Sequence, residues 1–217
     1  MDSREFKNII YQGLAKLFKG LANPHRLEII EMLAQGEKNV EQIASETGLS
    51  IANASQHLQV MKNNNIVKTR KKGHYHYYQL VSDDFLAIYQ QITKFAVSEI
   101  AELEKTMKRQ REEHQASSAV CLDELTDMMA ENNVLLLDVR PPAEYELGHI
   151  TGAINIPAQE IEKRLEDLPE DTEIIAYCRG PFCVLADDVV KTLKEKGYNV
   201  RRLDKGYPEW KTMKLTT

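Results

Sequence analysis

The residues best suited to chemistry are Cys178 and Cys183, in the stretch Ala176-Tyr177-Cys178-Arg179-Gly180-Pro181-Phe182-Cys183-Val184. An apolar run at 174–177 precedes them and reads as a buried strand. Val184, Leu185, Val189, Val190 and Leu193 follow at helical spacing. Cys178 therefore falls where a strand ends and a short loop turns into a helix. In open α/β sheets, ligands gather at the carboxyl ends of the strands. Loop N–H groups and the start of the following helix favour an anion there. A thiolate in that cradle has a lowered pKa and attacks as a nucleophile near neutral pH. A persulfide, also an anion, is stabilised in the same way. The alternative for Cys178 is a small buried hydrophobe, the usual fate of a free cysteine.

The elements that must position this loop come from a pattern that alternates helix and strand from residue 122 onward. Residues 122–129 read as helix and 134–139 as a continuous apolar strand. A short strand at 153–156 and a helix at 161–168 follow, then strand 174–177, helix 184–196 and strand 200–203. Apolar strands separated by helices imply a parallel sheet covered on both faces.

Three separated motifs accompany the cysteine loop in this half. They are Asp138-Val139-Arg140 with Glu144-Tyr145, the run from Gly148-His149 through Ile156-Pro157, and Leu203-Asp204-Lys205-Gly206-Tyr207-Pro208-Glu209-Trp210. Together they resemble the rhodanese (sulfurtransferase) family over residues 119–214. That resemblance implies that Cys178 takes a sulfane sulfur from a donor as a persulfide and passes it on. Arg179, Gly180, Pro181, Phe182 and Cys183 would complete the catalytic loop, with His149 holding a turn and Trp210 in the core. Two positions depart from the family pattern: Cys183 stands where a polar or basic residue is common, and Lys205 replaces the first of two paired glycines. Phosphatase relatives of the fold need Cys-x5-Arg, the arginine clamping the phosphoryl group. The sixth residue after Cys178 is Val184, which excludes that chemistry. Cys183 either resolves a persulfide into a disulfide, releasing sulfide, or packs under the loop. The first requires a Cα separation of about 4.4–6.8 Å.

The chain of 217 residues is long enough for two modest cores. No apolar run approaches the ~18 residues of a membrane span, and the amino terminus has no signal-peptide pattern. Three cysteines without framework spacing point to a reducing, cytoplasmic setting. The net charge of −5 is unevenly spread: residues 1–114 hold 16 Lys and Arg against 14 Asp and Glu, residues 115–217 hold 12 against 19. A basic patch in the first half is therefore compatible with nucleic-acid binding despite the acidic total.

Residues 4–20 repeat apolar positions at helical spacing. Asn23-Pro24 reads as a cap and first turn of a second helix, with Leu27, Ile30 and Leu33 inward and Gly36 as its left-handed stop. Asn39 and Gln42 form a capping-box start to a third helix over 40–47. Gly48-Leu49-Ser50 then turns into a fourth, which buries Ile51, Ala54, Leu58 and Met61 and leaves Asn53, Ser55, Gln56 and His57 on other faces. Two helices joined by a short glycine-containing turn make a helix-turn-helix, or alternatively a plain helical hairpin. Residues 66–80 follow as a β-hairpin with a basic tip, Arg70-Lys71-Lys72-Gly73, able to contact phosphates beside a groove.

Residues 5–110 resemble the ArsR-type winged-helix repressors, through Asn23-Pro24-His25-Arg26-Leu27-Glu28-Ile29-Ile30, Ser55-Gln56-His57-Leu58 and Tyr77-Tyr78-Gln79-Leu80. The resemblance implies a homodimer on a double-stranded DNA operator. Ser50, Asn53, Ser55, Gln56 and His57 would face the major groove, and Arg70, Lys71 and Lys72 the phosphates. The family's metal ligands are replaced by Asn39, Val40, Glu41 and Gln42, and residues 1–120 contain no cysteine, so no metal and no cofactor are expected. Phe85, Ile88, Ile92, Phe95, Ile100, Leu103 and Met107 give residues 83–116 an apolar stripe for a dimer interface, with a register shift after Phe95.

The fold expected is thus two domains. A mainly-α winged helix-turn-helix occupies 1–114, residues 115–120 form a linker, and an α/β rhodanese-like parallel sheet occupies 121–217. The function expected is a DNA-binding transcriptional regulator that senses sulfane sulfur or thiol oxidation through a persulfide at Cys178, with a sulfane-sulfur donor or small thiol as its second partner. The alternative is a working thiosulfate or persulfide sulfurtransferase fused to a DNA-binding domain. No membrane partner is expected.

Overall fold

The structure, a computed structural model, describes residues 1–114, 118–131 and 133–213. It divides into two compact units, Met1–Leu86 and Ala87–Thr217. The division falls inside a helix, and residues 115–120 are the linker expected from the sequence. Of that linker, Gln115, Ala116 and Ser117 lie outside the described residues, and Ala119–Val120 is a strand.

In the first unit the helices are α1 (Ser3–Leu21), α2 (Pro24–Ala34), α3 (Val40–Thr47) and α4 (Ile51–Asn63). The strands are β1 (Lys38–Asn39), β2 (Val67–Lys72) and β3 (Tyr75–Leu80), in the antiparallel order β1-β3-β2. The local signals act as the sequence dictates. Asn23 accepts from the Arg26 N–H, with Pro24 in the first turn of α2. The Asn39 side chain accepts from the Gln42 N–H while the Gln42 side chain accepts from the Asn39 N–H, closing the capping box of α3. Gly48 ends α3 in the left-handed region at φ 68°, a conformation that costs other residues, and Ser50 caps α4 by accepting from Asn53. Ile29, Ile30, Leu33, Ile43, Ala54, Leu58, Met61 and Ile66 form the buried interior.

Three details differ. Leu27 is 37% exposed and Ile51 55% exposed, because each sits in the first turn of its helix, where the chain has not yet reached the core. Gly36 has φ 148°, outside the left-handed helical region, and α2 is closed by Gln35 instead. The hairpin turns at Gly73 (φ 63°) as expected, but β3 also pairs with β1, Tyr78 opposite Lys38 and Tyr77 opposite Asn39.

The second unit begins within α5 (Asp83–Glu99), which is followed by α6 (Ala101–Glu113). Ile100 takes extended backbone, φ −103° and ψ 95°, where the apolar register shifts. Phe85, Leu86 and Tyr89 are buried, so Phe85 leaves the exposed stripe, which retains Ile88, Ile92 and Phe95. A five-stranded parallel sheet follows: β4 (Ala119–Val120), β5 (Val134–Asp138), β6 (Ile154–Asn155), β7 (Glu173–Tyr177) and β8 (Val200–Leu203), in the order β4-β8-β7-β5-β6. Helices α7 (Leu122–Ala130), α8 (Pro142–Leu147), α9 (Leu185–Glu195) and α10 (Tyr207–Met213) surround it. Residues 158–167 form two 3-10 turns rather than the expected α-helix.

Successive side chains of a strand point to opposite faces, and the two cores follow from that. Leu137, Ile174 and Ala176 pack with Val189, Val190 and Leu193 of α9 on one face. Leu136, Ile175 and Tyr177 pack with Leu122 and Leu125 of α7, and with the partly buried Trp210, on the other. Among the described residues no helix is long and apolar enough to cross a membrane.

Candidate functional site

Strand β7, buried in the middle of the sheet, delivers Cys178 at its carboxyl end. Cys178 is 2% exposed and joined to Cys183 by a disulfide across a Cα separation of 6.3 Å. That spacing is within the range a disulfide requires. The Cys183 N–H donates to the Gly180 carbonyl at 3.2 Å, folding residues 180–183 into a turn. Phe182 and Val184 are exposed at the rim, so Val184 ends the loop and does not continue the inward stripe of α9. The third cysteine, Cys121, is exposed and free; its sulfur accepts from the Glu124 N–H and caps α7.

Arg179 is turned inward. Its Nε donates to Glu144 Oε2 at 3.0 Å and its Nη2 to Glu144 Oε1 at 2.6 Å, a bidentate pair in which the Glu144 side chain is nearly fully buried. Glu144 stands on α8, whose approach is fixed by the neighbouring buried pair. There Arg140 donates from Nε and Nη2 to Asp138 and from Nη2 to the Gly148 carbonyl. Burial alone would lower the Arg140 pKa; the hydrogen bond to Asp138 and that carboxylate's charge raise it on balance. The guanidinium lies over the rings of Tyr177 and Tyr207, at 5.7 and 4.9 Å from their centroids. The Tyr177 hydroxyl accepts from the Ile150 N–H and is held protonated first by burial and then by Asp138. His149 stacks on Tyr145 and bonds to its carbonyl at 2.9 Å, which fixes the turn after α8.

The floor of the loop comes from the segment after β8. Gly206 lies so close that a Cβ there would stand 2.4 Å from the Cys178 carbonyl oxygen and 2.6 Å from the Gly180 nitrogen. This contact, and not a left-handed turn, makes glycine necessary at 206, and it leaves Lys205 exposed. The Gly206 N–H donates to Glu209 Oε2 at 2.9 Å. Glu209 also sits behind Gly180, where a Cβ would meet both carboxylate oxygens at 3.6 Å. Burial pushes the Glu209 pKa up, and hydrogen bonds from Gly206 and Gln90 offset part of the shift. Gln90 on α5 donates to Glu209 Oε1 at 3.2 Å and accepts from the Thr212 hydroxyl at 2.7 Å. No local signal marks Gln90, because its partners are 119 and 122 residues away.

In the first unit, Ser50 at the cap of α4 and Asn53, Ser55 and Gln56 on that helix are exposed. His57 is half-buried, its ring 5.5 Å from that of His25. Desolvation, then the Arg26 charge and His25, lower its pKa. Lys71 and Lys72 are exposed at the hairpin tip, with the Lys72 ammonium 5.8 Å above the Tyr77 ring. Arg70 is exposed but engaged by Glu37, which accepts from its Nη2 at 2.5 Å and its Nε at 3.2 Å. Among the described residues no group of three or more His, Cys, Asp and Glu side chains could hold a metal ion.

Comparison with known proteins fits both units. A family model for the rhodanese-like domain matches residues 122–213, and one for bacterial regulatory proteins of the arsR family matches residues 23–69. The chain is 38% identical over 205 residues to the HTH-type transcriptional regulator Rv0324 of Mycobacterium tuberculosis, covering 94% of this chain and 90% of the relative. It is 30% identical over 105 residues to the putative sulfur carrier protein YrkF of Bacillus subtilis, covering 45% of this chain and 56% of that protein. Among solved structures it is similar to the homodimeric winged helix-turn-helix DNA-binding domain of Mb0332 from Mycobacterium bovis. There the identity is 33% and the TM-score 0.43, over 46% of this chain and 91% of that one.

Proposed function

Because the chain belongs to the ArsR family of bacterial transcriptional regulators, in a form that carries a rhodanese-like domain behind the winged helix, we propose that its signal is sulfane sulfur or thiol oxidation, received at Cys178. The observation that carries this reading is the Cys178–Cys183 pair, two thiols on one loop within bonding distance. In the reduced protein the Cys178 thiolate attacks the terminal sulfur of a persulfide donor R–S–SH. A Cys178 persulfide forms and the donor leaves as the thiol R–SH. The Cys183 thiolate then attacks the Cys178 sulfur, the disulfide closes and the terminal sulfur departs as hydrosulfide. Two thiols are oxidised and one sulfane sulfur is reduced to sulfide, so no further oxidant is needed.

The DNA interface of this proposal is the capping Ser50 with Asn53, Ser55 and Gln56 of α4 in the major groove, and Lys71 and Lys72 on phosphate. His57 contributes from the edge, and Arg70 once it is released from Glu37. The active species is a homodimer. Its support is the apolar face of α1, with Phe6, Ile9, Ile10, Leu14 and Phe18 all exposed, and that of α5, with Ile88, Ile92 and Phe95. These faces would be poorly stable in water without a partner. The solved relative of the first unit is described as homodimeric. A two-fold dimer presents two recognition helices to half-sites about one DNA turn apart. Such a regulator works in the cytoplasm, where the chromosome lies and where thiols are held reduced until a donor arrives.

A second reading, a working sulfurtransferase, is favoured by the intact frame of Asp138, Arg140, Glu144 and Arg179 around the loop. The test is to treat the reduced protein with an organic persulfide or polysulfide and follow its mass and the sulfide released. The sensor stops after one disulfide and one sulfide per chain. Continuous release of product from thiosulfate with cyanide or a thiol as acceptor identifies the enzyme instead.

A further inference from the structure

A regulator needs its modified loop to bias an element that DNA binding also biases. The contacts under the loop single out α5. Gly206 approaches the Cys178 carbonyl and the Gly180 nitrogen so closely that not even a methyl group would fit between them. A shift of the loop main chain towards it must displace Gly206, because packed interiors answer strain by moving as units. Gly206 is held by Glu209, and Glu209 by the Gln90 amide, whose other end accepts from Thr212. Gln90 is thus fixed through both polar atoms of its terminal amide and stands little more than one turn after the buried Phe85 and Leu86, at the start of α5. It lies two residues beyond Ile88, hence about 200° around the helix, away from the exposed stripe of Ile88, Ile92 and Phe95. A second contact reaches the helix that follows the loop. His114 Nε2, just past α6, is 3.2 Å from Asp188 Oδ1 in the first turn of α9, the helix that starts two residues after Cys183.

We infer that Gln90 and Glu209 are positioning residues that tie the Cys178 loop to α5, so that opening or closing the Cys178–Cys183 bond is felt by that helix. This rests on the proposal that the loop is the sensor. Gln90 takes no part in the thiol chemistry. It holds the floor on which the loop stands, and it sits on α5, the helix whose opposite face carries the exposed apolar stripe.

The test uses the full chain as wild type, Gln90→Leu and the conservative Glu209→Gln, each reduced and each fully disulfide-bonded as checked by mass. DNA affinity is measured at fixed salt, and hydrogen exchange of the α5 amides is followed in both states. In wild type, disulfide closure is expected to change affinity by about 5-fold or more. Gln90→Leu forms its disulfide within about twofold of the wild-type rate, yet its affinity changes less than about twofold. Glu209→Gln keeps one oxygen for the Gly206 N–H, and its new NH2 donates to the Gln90 oxygen once the Gln90 amide turns over and donates in turn to the Thr212 hydroxyl, so this variant retains the response. A full response in Gln90→Leu overturns the inference and leaves the sensor reading standing. No response in wild type overturns both. If Gln90→Leu binds no DNA in either state, exchange decides. Reduction must alter α5 exchange in wild type and not in the variant, and equal changes in the two contradict the coupling.

Discussion

Arg179, the residue after the loop cysteine, gives both Nε and Nη2 to the buried carboxylate of Glu144, at 3.0 and 2.6 Å. The guanidinium of the residue that follows Cys178 is thereby committed to Glu144, and it works as a strut for the loop. Arg179→Met would strand the Glu144 carboxylate and is expected to cost about 3 kcal/mol, the typical penalty for breaking a buried pair. Glu144→Gln with Arg179→Met recovers much of that loss. Denaturant unfolding of the two variants checks both statements.

Gly206→Ala places a methyl group where 2.4 Å separates it from the Cys178 carbonyl oxygen. Overpacking of this kind costs about 1–3 kcal/mol. The loop must shift to accommodate it, so the variant should also close the Cys178–Cys183 disulfide more slowly than wild type. Mass spectrometry of quenched samples reads that rate.

At the hairpin tip, Lys71→Ala and Lys72→Ala should each weaken binding to all DNA sequences alike and reduce the salt slope of log K by about 1. Arg70 behaves differently, because Glu37 already occupies its Nε and Nη2. Glu37→Gln frees that charge, and the slope should steepen by about 1. Affinity measured across a salt series distinguishes the two classes.

The raised pKa of Glu209 has its first cause in burial. The folded protein therefore holds this proton to higher pH than the unfolded chain, whose glutamate titrates near ~4.3. Between those two values the native state binds more protons, and stability falls as pH rises. Glu209→Gln removes that part of the fall. Unfolding free energies of both proteins across mildly acidic to neutral pH should converge at low pH and separate, with the variant the more stable, as pH rises. Parallel curves would contradict the assignment.

Much of this architecture was legible because its signals are local. The Asn39–Gln42 box, Gly48 and Ser50 place α3 and the start of α4, and the Gly73 turn places the hairpin. The apolar run ending at Tyr177 places Cys178 at the carboxyl end of a buried strand. Features that depend on where a helix meets its core are less legible. Leu27, Ile51 and Val184 share the apolar periodicity of their segments but sit at helix starts, beyond reach of the interior. The break at Ile100 showed only as a register shift, since neither proline nor glycine marks it. The 3-10 turns over 158–167 carry enough apolar residues to imitate an α-helix. Pairings across long separations, Arg179 with Glu144, Arg70 with Glu37 and Gln90 with Glu209, leave no periodic trace. They depend on the assembled fold.

Whether Cys178 converts a sulfur signal into a change in DNA binding is tested most directly by affinity for the protein's own upstream DNA at fixed salt, for reduced and polysulfide-treated protein, in wild type and Cys178→Ser. The prediction is that treatment changes wild-type affinity and leaves Cys178→Ser unaffected. Equal affinity before and after treatment in wild type would contradict it, and sulfur transfer would then be the better account of the second unit.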